Sequence, residues 1–474
     1  MLGKLWEEIL EFIKAFFEKE EAILLVFLLL LGGVFFLNVF NPVAINFSAV
    51  GNYLWNFFLL TWWLWLFFIL FPIFTSLWLF WKNEMTEEKM KYLTFEIKIP
   101  RNNQRGPQAM EQVLMTMQTL DEKWSDFGER WLDGDFLNSH SLEIASFGGE
   151  IRFFVRFFKK YVPAIKSAFY ANYPDIDLEE VEDYTHKLPH DYEDMKKKGL
   201  NLWSLELKLN RPALYPIKTY TRFEQDKLDE EKQIDPMASI LELAAHIGPE
   251  DFFGIQILIW PKGRHWDEEF EGELEKMRER KKQEKKGSEK ENLASLFVMR
   301  SPGQTEVLKE VERNLSKPAF ETIIRLMHIA PKEILAQSHL RQALVSALRQ
   351  YDTADMNSLR YNDEIQTRVR VWQWPFFFPK VRLEMRRQRM LYLYYHHKSA
   401  PETWIGKLLT SHIFNSNFLH EPFVMNVEAI ATLFHVPTSS VLTAPHLKQV
   451  ESRKTGAPRG IAIFGEEEDI EKFK

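Results

Sequence analysis

The chain has 474 residues, a formal net charge of −7, 46% hydrophobic and 27% charged residues, and no cysteine. That is the composition of two or three folded domains rather than a disordered chain, and the lack of thiols excludes disulfides, thiolate zinc sites, iron–sulfur clusters and cysteine nucleophiles. Residues 22–81 contain no Asp, Glu, Lys or Arg; residues 1–21 carry three Lys and six Glu, which leaves −4 over residues 82–474. So small a balance excludes a large basic surface, and no direct sequence-specific nucleic-acid binding is expected.

In residues 1–21, Leu5, Trp6, Ile9, Leu10, Ile13, Phe16 and Phe17 recur at helical spacing across positions 3–19, so an amphipathic helix is expected. Its acid-rich start is unlike the basic start of a secretory signal peptide. Residues 22–81 read as a transmembrane hairpin, with spans at 22–40 and 53–81, a turn around 41–52, and a kink at Pro72. Lys4, Lys14 and Lys19 precede the hairpin, Lys82, Lys89 and Lys91 follow it, and the connecting loop has no basic residue. This two-pass arrangement puts both termini and the main domain on the cytoplasmic side of the bilayer.

Beyond the hairpin, β-rich runs alternate with helical ones, giving an α+β fold class. Residues 93–99 read as a strand, 107–120 as a helix, 142–147 and 151–158 as a hairpin about Gly148-Gly149, 162–172 as a helix, and 176–184 as a strand. That order, βαββαβ, is the ferredoxin-like one and fills a first domain at 90–185. A second copy is expected at 200–372, with strands at 202–209, 252–260, 320–329 and 366–372 and helices at 237–247 and 332–351. Where the first copy has a tight hairpin, the second carries an insertion at 262–318. Twenty of the thirty-one residues in 262–292 are charged, which reads as a solvated helix or a projecting helical hairpin. A helical C-terminal region, 373–450, opens with the aromatic loop 372–379, and residues 451–474 read as a loose tail.

No motif for catalysis emerges. The Gly-Lys pairs at 3–4 and 406–407 are each followed by Leu, so neither makes a P-loop, and His-Glu-x-x-His and Gly-x-Ser-x-Gly are absent. His396, His397 and His412 lack a partner ligand at metal spacing, and the run Asp175, Asp177, Glu179, Glu180, Glu182, Asp183 lacks the pattern of a calcium loop. A non-enzymatic chain without cofactor or metal is therefore expected.

Several phrases carry a family resemblance: LTFEIKIPRNNQRGPQAMEQ at 93–112, EVEDYT at 180–185, YPIKTYTRFE at 215–224, IQILIWP at 255–261, and NVEAIATLFHVP at 426–437 followed by TAPH at 443–446. With these the chain resembles the membrane-anchored, non-catalytic N-terminal region of type IV secretion or conjugation ATPases of candidate-phylum bacteria. In longer members the TAPH-like phrase leads into a motor domain with a P-loop, which does not follow here. The resemblance implies a subunit of the bacterial inner membrane that anchors and docks a separately encoded P-loop ATPase or another secretion-system subunit, with a homo-oligomer as a further option. Asn426, Glu428, Thr432, Phe434 and His435 are the docking candidates; the alternative is that the apolar members are simply the core face of a terminal helix. A membrane scaffold or receptor that recruits a soluble partner, unrelated to secretion, is the competing reading.

Overall fold

The computed structural model describes residues 47–100, 103–120, 139–225, 235–263, 266–286, 302–337, 339–370, 378–398, 422–438, 441 and 449–450. The amphipathic segment 3–19, the span at 22–40, His412 and the tail 451–474 lie outside these residues. The chain divides into two compact units, residues 1–75 and 76–474. Helix α1, Phe47–Lys89, contains the position of that division. It runs through Pro72 and begins inside the stretch expected to be a turn, so residues 47–52 are helical. Gly51, the weakest helix former of residues 47–52, does not interrupt the helix. Trp55, Leu59, Leu60, Leu70, Phe71 and Phe74 are exposed, Leu60 to 75%. Among the described residues no helix is long and apolar enough to cross a membrane; the side chains of residues 62–69, in the middle of α1, are not among them.

The second unit is built on one sheet. Strands β1 (Tyr92–Pro100), β2 (His140–Phe147), β3 (Glu150–Phe158) and β4 (Asp177–Val181) adopt the order β4-β1-β3-β2, every neighbour antiparallel. Helices α2 (Pro107–Leu120) and α3 (Val162–Asn172) make the two crossovers. The first of these helices opens on Pro107, where the missing N–H costs nothing, and buries Met110, Val113, Leu114 and Met117 at helical spacing. In β3, Ile151, Phe153, Val155 and Phe157 face the helices while Phe154 faces the opposite side, the period of two that the sequence displays. Gly148 and Gly149 turn this hairpin with φ of 57° and 91°. A Cβ on Gly149 would lie 2.7 Å from the carbonyl oxygen of Ala245, so the turn also needs glycine for close approach to the second half.

The short α4 (Tyr192–Lys197) leads to the second half, β5 (Leu200–Leu209), β6 (Phe252–Pro261), β7 (Ala319–Pro331) and β8 (Leu359–Gln366), in the order β6-β7-β5-β8. Its crossovers hold α5 (Tyr220–Gln225) and α6 (Ala238–Ala245), then α9 (Lys332–Gln337) and α10 (Leu340–Leu348). Between β6 and β7 stand α7 (Glu271–Lys286) and α8 (Pro302–Leu315), tied by an Arg278 to Glu312 ion pair of 2.8 Å. Their base is not merely solvated: Trp266 is buried with Leu214, Val311, Leu315 and Ala319, and its indole donates to the Lys317 carbonyl. The expected strand at 366–372 is displaced, since β8 ends at Gln366 and residues 371–372 lie outside the described ones. Residues 359–366 are polar on one face, as an edge strand permits, and so carry little strand signal.

The halves join where β2 pairs antiparallel with β6, from His140 opposite Ile259 to Phe147 opposite Phe252. One face of the continuous sheet is covered by α2, α3, α6 and α10. The other carries α4 and α11 (Pro379–Tyr395), which pack Tyr192, Met195, Leu391 and Tyr394 on Phe154, Leu202, Phe252, Met327 and Ile329. The C-terminal strand β9 (Phe423–Asn426) pairs with the start of β7, α12 (Val427–Leu433) follows at once, and β10 (Gln449–Val450) adds a parallel pair at the end of β1. At the outer edge, the Tyr170 hydroxyl accepts from the Leu178 N–H of β4 and Lys166 reaches its carbonyl, which blunts the edge together with exposed Asp177, Glu179 and Glu180.

Gly254 of β6 lies directly under the Tyr394 hydroxyl, and a Cβ there would also come within 2.9 Å of the Phe252 ring. Gly254→Ala is expected to destabilise the fold by about 2 kcal/mol, as overpacking does, and Tyr394→Phe in the same chain to recover part of the loss. Chemical denaturation of both variants checks this.

Candidate functional site

The docking candidates fall in β9 and α12 and act together as a clasp. Asn426 is the N-cap of α12, its side-chain oxygen accepting from Ala429 N–H at 2.8 Å. Glu428 accepts from the Thr219 and Thr221 hydroxyls and pairs with Lys317 at 2.6 Å and Arg313 at 3.2 Å. Burial alone would raise its carboxyl; Lys317 and the two hydroxyls outweigh that and hold it below the ordinary value. The Thr432 hydroxyl accepts from Tyr220 N–H at 2.9 Å and donates to the Glu428 carbonyl at 2.8 Å. Phe434 is buried against Phe153, ring centroids 5.9 Å apart.

His435 completes the clasp. Its Nδ1 meets the Ala431 carbonyl at 2.9 Å and its Nε2 the Asp235 carboxylate at 3.0 Å, both residues buried. Both ring nitrogens thus face oxygen atoms, one of them a carboxylate. For Asp235 the desolvation that raises its carboxyl is exceeded by His435 and by the N–H groups of Met237 and Thr438, leaving it lowered. From the first half, the Asn103 amide donates to the Val436 and Pro437 carbonyls at 3.2 and 2.9 Å. The segment is thus held by Asn103 and Phe153 of the first half and by Thr219, Tyr220 and Asp235 of the second. All five candidates are brought together, and none of the five side chains is more than a few per cent exposed. A partner can touch them directly only if α12 leaves its place.

A second polar node lies on the opposite face. Glu143, between Leu142 and Ile144 in β2, accepts from the hydroxyls of Ser141 and Tyr184 and pairs with His397 Nε2 at 2.8 Å. Tyr184 and Tyr394 share a hydrogen bond of 2.7 Å. Burial pushes Glu143 up, but His397 and the hydroxyl donors pull it further down, whereas burial and the Glu143 charge drive Tyr184 far above its ordinary value. His397 follows α11 with φ of 54°, a left-handed position usually given to glycine. Here a side chain is needed, because the imidazole fills the gap between Glu143 and Asp183. The node continues through Gln256, which donates to the Tyr394 carbonyl, to Arg325, which pairs with Glu206 at 2.7 Å.

Glu143 and Asp235 carry no functional signal in the sequence. An acid between two apolar residues of an alternating strand reads as a solvent-facing position, and only the covering by α11 makes it interior. Tyr184 lies inside the EVEDYT phrase, and His397, which lacks a partner ligand at metal spacing in the sequence, is a packing histidine on Glu143. Among the described residues no group of His, Asp and Glu is placed to hold a metal ion.

A nine-stranded antiparallel sheet with helices on both faces, sealed by buried polar joints, defines an α+β protein. Residues 82–449 match DUF8128, a domain of unknown function, and the chain belongs to that family. No curated protein matches it.

Glu428→Ala removes a buried acceptor of Thr219 and Thr221 and one carboxylate of Lys317, which keeps Glu111, and is expected to cost about 2 kcal/mol, against about 1 kcal/mol for Asn426→Ala. Denaturation midpoints of the two variants test that ranking. His140 is wholly buried against Phe157 and Tyr161 with no hydrogen bond to either ring nitrogen, and burial, then Arg156, lowers it to about 4. Its contribution is complete above the unfolded value near 6.5 and drains away as pH falls toward 4, because only the unfolded chain then takes up the proton. Between pH 7 and 5 this loss is about 2 kcal/mol. His328 and His396 are also lowered by burial, so His140→Phe should flatten this slope without abolishing it. Stability measured against pH for both chains decides.

Proposed function

We propose that the protein is a non-enzymatic, membrane-anchored component of a type IV secretion or conjugation-like machine that docks a separately encoded P-loop ATPase. The observation that carries the anchor is the sixty-residue uncharged run at 22–81, flanked on both sides by lysines. In this reading residues 22–81 are a two-pass hairpin of a bacterial inner membrane, with the second unit in the cytoplasm. Exposure of Trp55, Leu60, Phe71 and Phe74 on α1 supports it, since side chains of that kind belong in lipid.

Each half of the sheet reads as ferredoxin-like, from the shared order in which the first strand is flanked by the third and fourth and each crossover carries helix. The link to secretion ATPases rests on the phrases at 93–112, 180–185, 215–224, 255–261 and 426–437. The match to DUF8128 supplies no activity of its own. The competing reading, a scaffold or receptor for a soluble partner, draws on the exposed charged face of α7, where Glu271, Glu273, Glu275 and Lys276 point away from the body.

Two outcomes test the proposal. In the cysteine-free chain, single cysteines at Ser48 and Ser288 should be labelled from opposite sides of the membrane, and labelling from the same side sinks the hairpin. Tagged protein solubilised from its native membrane should retain a P-loop ATPase in stoichiometric amount; reproducible recovery of non-motor proteins alone moves the scaffold reading ahead.

A further inference from the structure

The junction between α1 and β1 carries a basic surface that neither the clasp nor the buried node uses. Lys89 and Lys91 end the connection into Tyr92, and Lys159 and Lys160 form the short helical turn that follows β3. The two pairs are held side by side, because Lys159 N–H donates to the Lys91 carbonyl at 2.9 Å. Beside them Tyr92, Phe158 and Tyr161 make a continuous aromatic row, tilted and then edge-to-face, with ring centroids 5.9 and 5.7 Å apart, and the Lys160 ammonium lies 5.6 Å over the Tyr161 ring. All four lysines are exposed, and none makes an ion pair among the described residues, whereas Lys98, Lys196, Lys262, Lys317 and Lys398 each pair with a carboxylate.

Residues 151–174 hold Arg152, Arg156, Lys159, Lys160 and Lys166 and no acid; Arg152 pairs with Glu150 at 2.9 Å and Arg156 faces Asp183 at 4.0 Å, so the surplus rests on the lysines. On the side of α1 the carboxylates nearest in sequence are Glu84, Glu87 and Glu88; Glu84 is taken by Lys398 at 2.5 Å, and the other two still leave a positive surplus. Trp78 and Trp81 lie under the Lys82 ammonium at 5.5 and 5.8 Å and close the uncharged run. From Trp81 to Lys89 the helix advances about 12 Å, which is the reach of a headgroup layer plus one Debye length.

We propose that Lys89, Lys91, Lys159 and Lys160 form a contact surface for anionic lipid headgroups. The proposal rests on the anchor reading above and adds a second, electrostatic contact with the bilayer. A headgroup is favoured over nucleic acid because the patch is small and directly follows the interfacial tryptophans; polybasic juxtamembrane segments act on anionic leaflets in this way.

Full-length protein with a single cysteine at Pro163, an exposed position beside the patch, is labelled with a fluorophore and reconstituted into vesicles of phosphatidylcholine alone or with phosphatidylglycerol. Quenching by neutral acrylamide should fall several-fold when phosphatidylglycerol is present and recover at high salt. The quadruple change K89Q/K91Q/K159Q/K160Q should remove the effect, while the corresponding four arginine substitutions keep it, which separates loss of charge from loss of fold. Equal quenching in both vesicles overturns the proposal. So does protection in phosphatidylcholine vesicles on adding a short DNA duplex, which would assign the patch to nucleic acid. Protein that fails to float even with phosphatidylcholine overturns the anchor reading and, with it, the headgroup contact.

Discussion

Everything in the second unit depends on one seam, the antiparallel pairing of β2 with β6. Without it each half would expose an edge strand of eight or more residues, Leu142 and Ile144 on one side and Phe253, Ile255, Ile257 and Ile259 on the other, with unpaired backbone groups beside them. With it, two four-stranded sheets become one and their helical faces become a single apolar core. The glycine turn of the first half then meets the end of α6 in the second, at a distance that no side chain would allow.

Backbone pairing at one pair of strands is a hinge unless something crosses it on both faces. On the helical face the crossing element is the segment from Phe423 to Pro437, bound to the first half through Asn103 and Phe153 and to the second through Thr219, Tyr220 and Asp235. On the other face it is α11 with its terminal turn, which lays Tyr394 and His397 over Glu143 of β2 and reaches Arg325 of β7 through Gln256. Both crossings use buried charge. Such pairs add modest net stability, but they are costly to break singly, so they hold one arrangement of the halves against others. That the two crossings come from the last described third of the chain means the seam is finished by residues remote from it in sequence.

The depressed carboxyls follow from the same design. Asp235, Glu143 and Glu428 are each surrounded by enough donors to outweigh burial, whereas His140 sits in an apolar corner and stays neutral. Polar residues on the seam are therefore settled by the neighbours that fold over them. This is why the segment at 426–437 looks distinctive in sequence yet contributes no exposed side chain among the five singled out there.

Local periodicity alone determined most of the elements. The alternation of Ile151, Phe153, Val155 and Phe157, the spacing of Met110, Val113, Leu114 and Met117, and the paired glycines at 148–149 each dictate a strand, a helix and a turn, because these signals are intrinsic to the backbone and its water-facing side. The uncharged run and its flanking lysines are legible in the same way. Tertiary structure decided what depends on a second surface. The pairing of β2 with β6 leaves no trace beyond the near-continuous apolar character of 252–260, broken by Gln256, and the edge strand β8 lay seven residues before its expected start, since only one side of it must match a neighbour. Whether Glu143 faces water or His397, and whether His435 caps a helix or answers Asp235, is fixed by what covers each residue, and a sequence read along the chain does not contain that covering.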